Sequence, residues 1–294
     1  MPTGLYHRIK RNSGPIGELA ALLKNADAVV VGAGSGLSAA AGLTYAGRRF
    51  QEKFGDFIEH YGMTDMYSAG FYPFPTQEEK WAYWSRHIYY NRYDVAPGKP
   101  YLDLYALLKD KNYFILTTNV DHQFWLAGFP DERIFATQGD YGLFQCAKAC
   151  HKKLYNNETQ VRAMVARQKN CRIPSELVPR CPVCGGYMEV NLRCDGYFVE
   201  DEAWMRACGR YEDFLRENKD GRVVYLELGV GMNTPGIIKY PFWQMTDKNP
   251  AAAYVCINLS EACAPWEIKE RSICISKDIA QVLKELAETE KEGR

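Results

Sequence analysis

An excess of charge of either sign is missing from this chain. Over 294 residues, 36 Lys and Arg balance 36 Asp and Glu, so the formal net charge is zero. That leaves no global field for capturing nucleic acid or an anionic membrane. Long apolar runs are absent too: none approaches the ~20 residues needed to span a bilayer. The segment Met1 to His7 carries no apolar signal-peptide core, so a cytoplasmic location is the expectation. Internal repeats are lacking, and low complexity is limited to a short charged tail, Glu288 to Arg294.

What is present is a globular composition, 47% hydrophobic and 24% charged. Ten cysteines without a secretion signal point to metal binding and free buried thiols rather than to a disulfide framework. The apolar spacing of Ile16, Leu19, Leu22 and Leu23 predicts a helix over 15–25. Ala28-Val29-Val30-Val31 reads as a buried parallel strand, and further strands are expected at 113–117, 223–228, 253–258 and 272–275. A last helix starts after Asp278, its N-cap. Alternating β and α elements imply an α/β fold with a Rossmann-like, doubly wound parallel sheet.

Two stretches break that rhythm. Residues 48–98 are aromatic-rich and helical in pattern, and 145–195 hold six of the ten cysteines. Both are expected to be insertions forming a smaller helical and metal-binding lobe. Residues 1–47, 99–144 and 196–294 then make up the nucleotide-binding domain. The lobe should sit over the carboxyl edge of the sheet, where ligands bind in open α/β folds.

Three motifs carry chemistry. Gly34-Ser35-Gly36-Leu37-Ser38 follows a strand and opens a helix, so small residues and free N–H donors would cradle a diphosphate there. Thr117-Thr118-Asn119-Val120-Asp121 ends the next strand and reads equally as a polar strand end with Asx-turn chemistry. Cys146 and Cys150 pair with Cys181 and Cys184 as a structural Cys₄ zinc pattern, with Cys171 and Cys194 as competing ligands. Arg193 follows this module and is a candidate to steer an acidic acceptor or a phosphate.

In order and position these motifs resemble the sirtuin family, over roughly residues 20–290. The resemblance implies NAD as co-substrate. By it, Asn119 and Asp121 hold the ribose and carboxamide ends. Gly229-Val230-Gly231 stands where the family has Gly-Thr-Ser, and Asn258 meets the adenosine ribose. Asp278 and Ile279 border adenine. The departures cluster at the reacting end. Thr44-Tyr45-Ala46-Gly47 replaces Pro-Asp-Phe-Arg, and Thr118 replaces a glutamine. Gln138, in Thr137-Gln138-Gly139-Asp140-Tyr141-Gly142, replaces the histidine that serves as general base.

A primary amide holds a hydroxyl but takes no proton near neutral pH, where imidazole titrates. Deacylation needs that proton transfer, whereas departure of nicotinamide does not. A protein carboxylate is already deprotonated and attacks the ribose carbon directly. Glutamine at this place resembles the macrodomain-linked, class M branch of the sirtuins. That resemblance implies mono-ADP-ribosylation of a lipoylated carrier protein like the glycine-cleavage H protein. It also implies a macrodomain hydrolase that reverses the mark. Asn119, Asp121, Gln138 and Arg193 are the expected catalytic set. An NAD-dependent lysine deacylase using His122 or water as base, and a silent NAD or ADP-ribose sensor, are the competing readings.

Overall fold

The computed structural model describes residues 14–232 and 235–292. The Met1–His7 segment and the last two residues of the charged tail lie outside it. In chain order the elements are α1 (Pro15–Asn25), β1 (Ala28–Ala33), α2 (Ser35–Ala40), α3 (Arg48–Tyr61), α4 (Met66–Ala69), α5 (Gln77–Ile88), α6 (Lys99–Leu108), β2 (Tyr113–Thr117), α7 (Gln123–Leu126), β3 (Ile134–Ala136), β4 (Gly139–Cys146) and β5 (Tyr155–Asn156). They continue as α8 (Glu158–Arg167), β6 (Met188–Leu192), α9 (Glu202–Asn218), β7 (Val223–Leu228), α10 (Lys239–Lys248), β8 (Ala253–Ile257), β9 (Ser272–Ile275) and α11 (Ile279–Glu292).

Six strands form one sheet in the order β3-β2-β1-β7-β8-β9, every neighbouring pair parallel. This is the doubly wound order, in which the chain winds outward from β1 first to one side and then to the other. The alternation of side chains explains how both faces are covered. Val29, Val31 and Ala33 of β1, with Val224, Leu226 and Leu228 of β7, meet Leu19 and Leu23 of α1, Leu104 and Leu108 of α6, and Leu283 of α11. Ala28, Val30, Val223 and Tyr225 point the other way, toward Phe214 of α9 and Phe242 of α10.

The second sheet, β5-β4-β6, is antiparallel. It shares a separate core with α3, α5 and α8, built on Phe50, Phe54, Phe57, Trp81, Tyr83, Phe144, Val161 and Met188. Helix α5 starts at a capping box, Thr76 with Glu79, and α9 at Asp201, whose side chain accepts from the Trp204 N–H. Gly139, at φ +98°, opens β4, and a Cβ there would lie 1.9 Å from the Asn191 carbonyl oxygen. Only glycine fits where the small sheet leaves the large one.

A charged pair lies inside the large domain. Lys239 Nζ sits 2.5 Å from Glu227 Oε1, both side chains fully buried. Tyr254 Oη donates to Glu227 Oε2 at 2.6 Å, and Cys256 Sγ lies 3.3 Å from Oε1. The pair ties the first turn of α10 to the central strands. Removing one partner strands a buried charge, so Lys239→Ala should cost about 3–5 kcal/mol. Replacing both, Glu227→Leu with Lys239→Met, should recover most of that loss, as read from denaturant midpoints.

Candidate active site

The sheet order puts its switch point between β1 and β7, and the loops at the carboxyl ends of the strands converge there. The two turns at its centre touch backbone to backbone. The Gly34 N–H donates to the Leu228 carbonyl and the Gly36 N–H to the Gly229 carbonyl, each at 3.0 Å. A Cβ on Gly34 would lie 2.7 Å from Gly229 O, and one on Gly36 2.7 Å from Gly229 Cα. Gly229 itself is left-handed, at φ +64°. These glycines therefore serve turn-on-turn packing, with both N–H groups engaged inside the protein. Ser35 is left exposed between them.

Behind the turn lies a buried polar cluster. Ser38 Oγ donates to Asp121 Oδ2 and lies 2.8 Å from Tyr101 Oη. Asn119 Nδ2 donates to the Gly34 carbonyl at 2.9 Å and to Tyr101 Oη at 3.2 Å. The Gln123 N–H donates to Asp121 Oδ1 at 3.1 Å. Burial pushes the Asp121 carboxyl up, against the hydrogen bonds from Ser38 and the Gln123 N–H. Thr117 Oγ1 accepts from the Asn119 N–H at 3.0 Å, and the Thr118 N–H donates to Ala33 O at 3.0 Å, fixing the end of β2 against β1.

Gln138 follows β3. Its Nε2 donates to Thr137 Oγ1 at 3.1 Å, and its backbone carbonyl accepts from the Arg193 N–H at 3.1 Å. The Arg193 guanidinium pairs with Glu200, reaches Thr137 O at 3.4 Å, and lies 4.3 Å over the Phe198 ring. Gln138 and Arg193 are thus brought together, with the arginine held between an acid and aromatic faces. His122 Nδ1 donates to Asp140 Oδ2 at 2.8 Å, and Arg92 Nε donates to Asp140 Oδ1 at 2.9 Å. Burial opposes ionisation of Asp140, yet the bond from His122 and the Arg92 charge hold it below the usual carboxylate value. His122 is occupied by this pairing and stacks on Trp125.

The remaining expected contacts lie along the far strands. Asn258 Nδ2 donates to the Val230 carbonyl at 3.1 Å, while its Oδ1 accepts from the Ser260 and Glu261 N–H groups. It binds the loop after β8 to Gly229-Val230-Gly231. Asp278 accepts from the Gln281 N–H at 3.1 Å and caps α11. Ile279 is buried in the core beneath. Thr44 is exposed, and its carbonyl accepts from Arg49 at 3.1 Å.

Sequence reasoning missed Tyr101, Gln123, Arg92 and Asp140, and also Tyr45, His87 and Tyr141. Tyr45 Oη lies 2.6 Å from Tyr141 Oη, and His87 Nε2 2.9 Å from the same oxygen. Asp140 and Tyr141 lie inside the Gln138 motif, a legible signal. Tyr101 and His87 carry no local pattern and are recruited by the tertiary fold. Burial, followed by the nearby Arg49 charge, drives His87 down to about 3.

The four cysteines Cys146, Cys150, Cys181 and Cys184 place their sulfurs within 4.8 Å of one another. Cys146–Cys184 and Cys150–Cys181 are each 3.7 Å apart. Four thiolates at Zn–S distances of about 2.3 Å define a tetrahedron with edges of about 3.8 Å. The set fits a closed, structural zinc centre, and Cys171 and Cys194 stand outside it. Among the described residues, no helix is long and apolar enough to cross a membrane.

No protein-family model matches the chain. It is 42% identical over 262 residues to the protein ADP-ribosyltransferase of Staphylococcus aureus strain Mu50, covering 89% of this chain and 83% of that one. It is 33% identical over 286 residues to a probable bifunctional ADP-ribose hydrolase/ADP-ribosyltransferase of Fusarium oxysporum f. sp. cubense. That match covers 90% of this chain but only 46% of the fungal protein. Among solved structures it is similar to Sir2Tm bound to a propionylated peptide (TM-score 0.60, 18% identity, 94% of this chain and 98% of that one). A Sir2 homologue in complex with NAD is similar as well (TM-score 0.58, 16% identity, 94% of each).

Two measurements check this geometry. Cys181→Ser should abolish binding of one zinc per chain, read by metal analysis, and lower the melting temperature of the zinc-loaded protein. For His87, the folded value lies below the unfolded one, so the unfolded chain binds the proton first. Stability should therefore fall as the pH drops from about 6.5 toward 3, by up to about 1.4 kcal/mol per unit. His87→Gln should lack that component in acid-unfolding curves.

Proposed function

Since the chain belongs to the protein ADP-ribosyltransferases and has the sirtuin fold, we propose that it transfers one ADP-ribosyl group from NAD to a carboxylate of a lipoylated, H-protein-like carrier. NAD supplies the ADP-ribosyl group and carries nicotinamide as its own leaving group. In the transfer, a carboxylate oxygen forms a bond to the ribose anomeric carbon as the bond from that carbon to nicotinamide breaks.

The observation that carries this reading is the environment of Gln138. Its Nε2 is turned to Thr137, and its carbonyl end remains an acceptor for a ribose hydroxyl. The titratable groups nearby are engaged elsewhere: Asp121 by Ser38 and Gln123, His122 by Asp140. An acceptor that arrives deprotonated suits a site built this way. Asn119 and Asp121 form the rigid floor, and positioning on such a floor is the main contribution to a step whose leaving group is already activated. Arg193, beside Gln138, would meet an acidic acceptor by exchanging its present partner Glu200 for it.

The carrier partner rests on the resemblance of the Gly36 to Tyr45, Thr118 to His122 and Thr137 to Gly142 segments. A separate hydrolase that removes the mark is part of the same proposal. The fungal relative's name, which joins an ADP-ribose hydrolase to an ADP-ribosyltransferase, supports it. So does the length of that relative beyond the region this chain matches. A cytoplasmic setting belongs with this reading.

Incubation of the protein with NAD and a lipoylated H-like carrier should add one ADP-ribosyl group to the carrier by intact mass. Gln138→Ala should cut the rate by roughly 10- to 100-fold, in line with loss of a positioning contact. Removal of acyl groups from lysine peptides with no transfer to the carrier would overturn the proposal in favour of the deacylase.

A further inference from the structure

One backbone outlier stands beside the buried polar cluster. His122 holds φ +65° and ψ +13°, the left-handed region where glycine is the default. Among the described residues, the other non-glycine positions of this kind are Ala149, Asn170 and Cys171, all between β4 and β6 in sequence. A side chain kept where its own backbone is strained points to a demand on that side chain. His122 follows Asp121 directly and precedes α7. Its Nδ1 donates to Asp140 Oδ2 at 2.8 Å, and its ring lies flat on Trp125, 4.4 Å between centroids at 10°. Trp125 is fixed in turn, its Nε1 donating to Asp131 Oδ1 at 3.0 Å.

Asp140 is the node. It lies two residues after Gln138, and three donors converge on its carboxylate: His122 Nδ1 on Oδ2, and Arg92 Nε at 2.9 Å with the Gly142 N–H at 2.6 Å on Oδ1. A Cβ on Gly142 would lie 2.9 Å from Asp140 Oδ1 and 3.1 Å from Arg92 Nε, so the glycine leaves room for this convergence. The node joins three segments. His122 belongs to the loop of Asn119 and Asp121, Asp140 to the strand that follows Gln138, and Arg92 to the helical insertion. Two backbone bonds run alongside, from the Thr137 N–H to Thr117 O and from the Tyr141 N–H to Val120 O, each 3.0 Å. Both reach residues before Asp121, whereas the side-chain node reaches the residue after it. Asp121 is thereby bracketed, its neighbours Val120 and His122 each tied to β4.

We propose that His122, Asp140 and Arg92 form a positioning clamp that fixes Gln138 against Asn119 and Asp121 for the transfer step. The three act through Gln138 and Asp121 and need no contact of their own with NAD or the acceptor. Glycine at position 122 would relax the backbone but leave Asp121 tied to β4 on one side only. That is a reason for an imidazole in a place that suits glycine. A clamp of this kind changes rate more than affinity, because alignment of reacting groups is what a small displacement spoils. The inference rests on Gln138, Asn119 and Asp121 acting on one substrate, as in the proposed transfer.

Steady-state assays with zinc-loaded protein, NAD and a lipoylated H-like carrier separate rate from binding. His122→Gly should lower kcat for transfer about tenfold while KM for NAD stays within about twofold. Its melting temperature should move little, since relief of backbone strain offsets the lost contacts. Asp140→Asn, close in shape, should lower kcat in the same direction, and it decides the matter alone if the glycine variant fails to fold. The double variant should lose no more than the worse single one, since either substitution opens the same clamp. An unchanged kcat, a loss carried by KM, or losses that multiply in the double variant would each overturn the inference. Wild-type protein that transfers nothing from NAD to the carrier would overturn the transferase reading, and the clamp with it.

Discussion

The contact between two glycine turns, Gly34-Ser35-Gly36 and Gly229-Val230, is what the rest of this molecule depends on. The first turn leaves β1 and the second leaves β7, and the sheet winds in opposite directions from that seam. A Cβ at Gly34, Gly36 or Gly229 would push the strand ends apart. With glycine at these three places, the backbone of one turn satisfies that of the other, and the buried cluster of Ser38, Asn119, Tyr101 and Asp121 closes behind. A ligand lying across the seam meets a floor that is already ordered, so little conformational entropy is lost on binding.

The small lobe supplies what the large domain lacks. Its core is aromatic and packs Phe54, Phe57, Tyr83 and Phe74 ring against ring, while its far end is closed by the four thiolates. A metal at one end and stacked rings at the other make the lobe stiff. That stiffness reaches the cleft through Tyr141 and Arg193, which are bonded to Val120 and Gln138 respectively. The amide at position 138 is thereby held at the edge of a stiff frame, its Nε2 on Thr137 and its backbone carbonyl on the Arg193 N–H.

Much of this was legible in the sequence, for identifiable reasons. Tyr113–Thr117 and Val223–Leu228 are mostly apolar runs buried on both faces, and Ser272–Ile275 is an apolar edge strand that alternates in burial, so all three could be read residue for residue. The paired cysteines report their own geometry through their spacing. By contrast, β3 is three residues long and gains its identity only from pairing with β2. The glycines read as a cradle for phosphate, and the structure gives them a second part, packing against Gly229. Their partner at Gly229 is distant in sequence, and local pattern carries no trace of it. His87 and Tyr101 likewise sit on amphipathic helices where one more aromatic or polar residue looks like ordinary packing. Their roles arise from what faces them across the fold.

Strand β4 has a consequence for how this protein can vary. It begins at Gly139, next to Gln138, and ends at Cys146, one of the four clustered cysteines that fit a zinc centre. Its partner β6 ends beside Arg193. The two ends of β4 pair with Leu192 and Met188, four residue steps apart on β6, so at about 3.3 Å per residue the strand spans about 13 Å, with the amide beside one tip and a cysteine sulfur at the other. Adding or deleting one residue within its regular part would turn every later side chain to the opposite face and carry Cys146 out of the tetrahedron. The pairing already absorbs extra residues on the β4 side between Asp140 and Phe144. Length changes among descendants of this chain should therefore accumulate in that bulge, or in the long connection between the two cysteine pairs. The paired residues on either side of the bulge should hold their count.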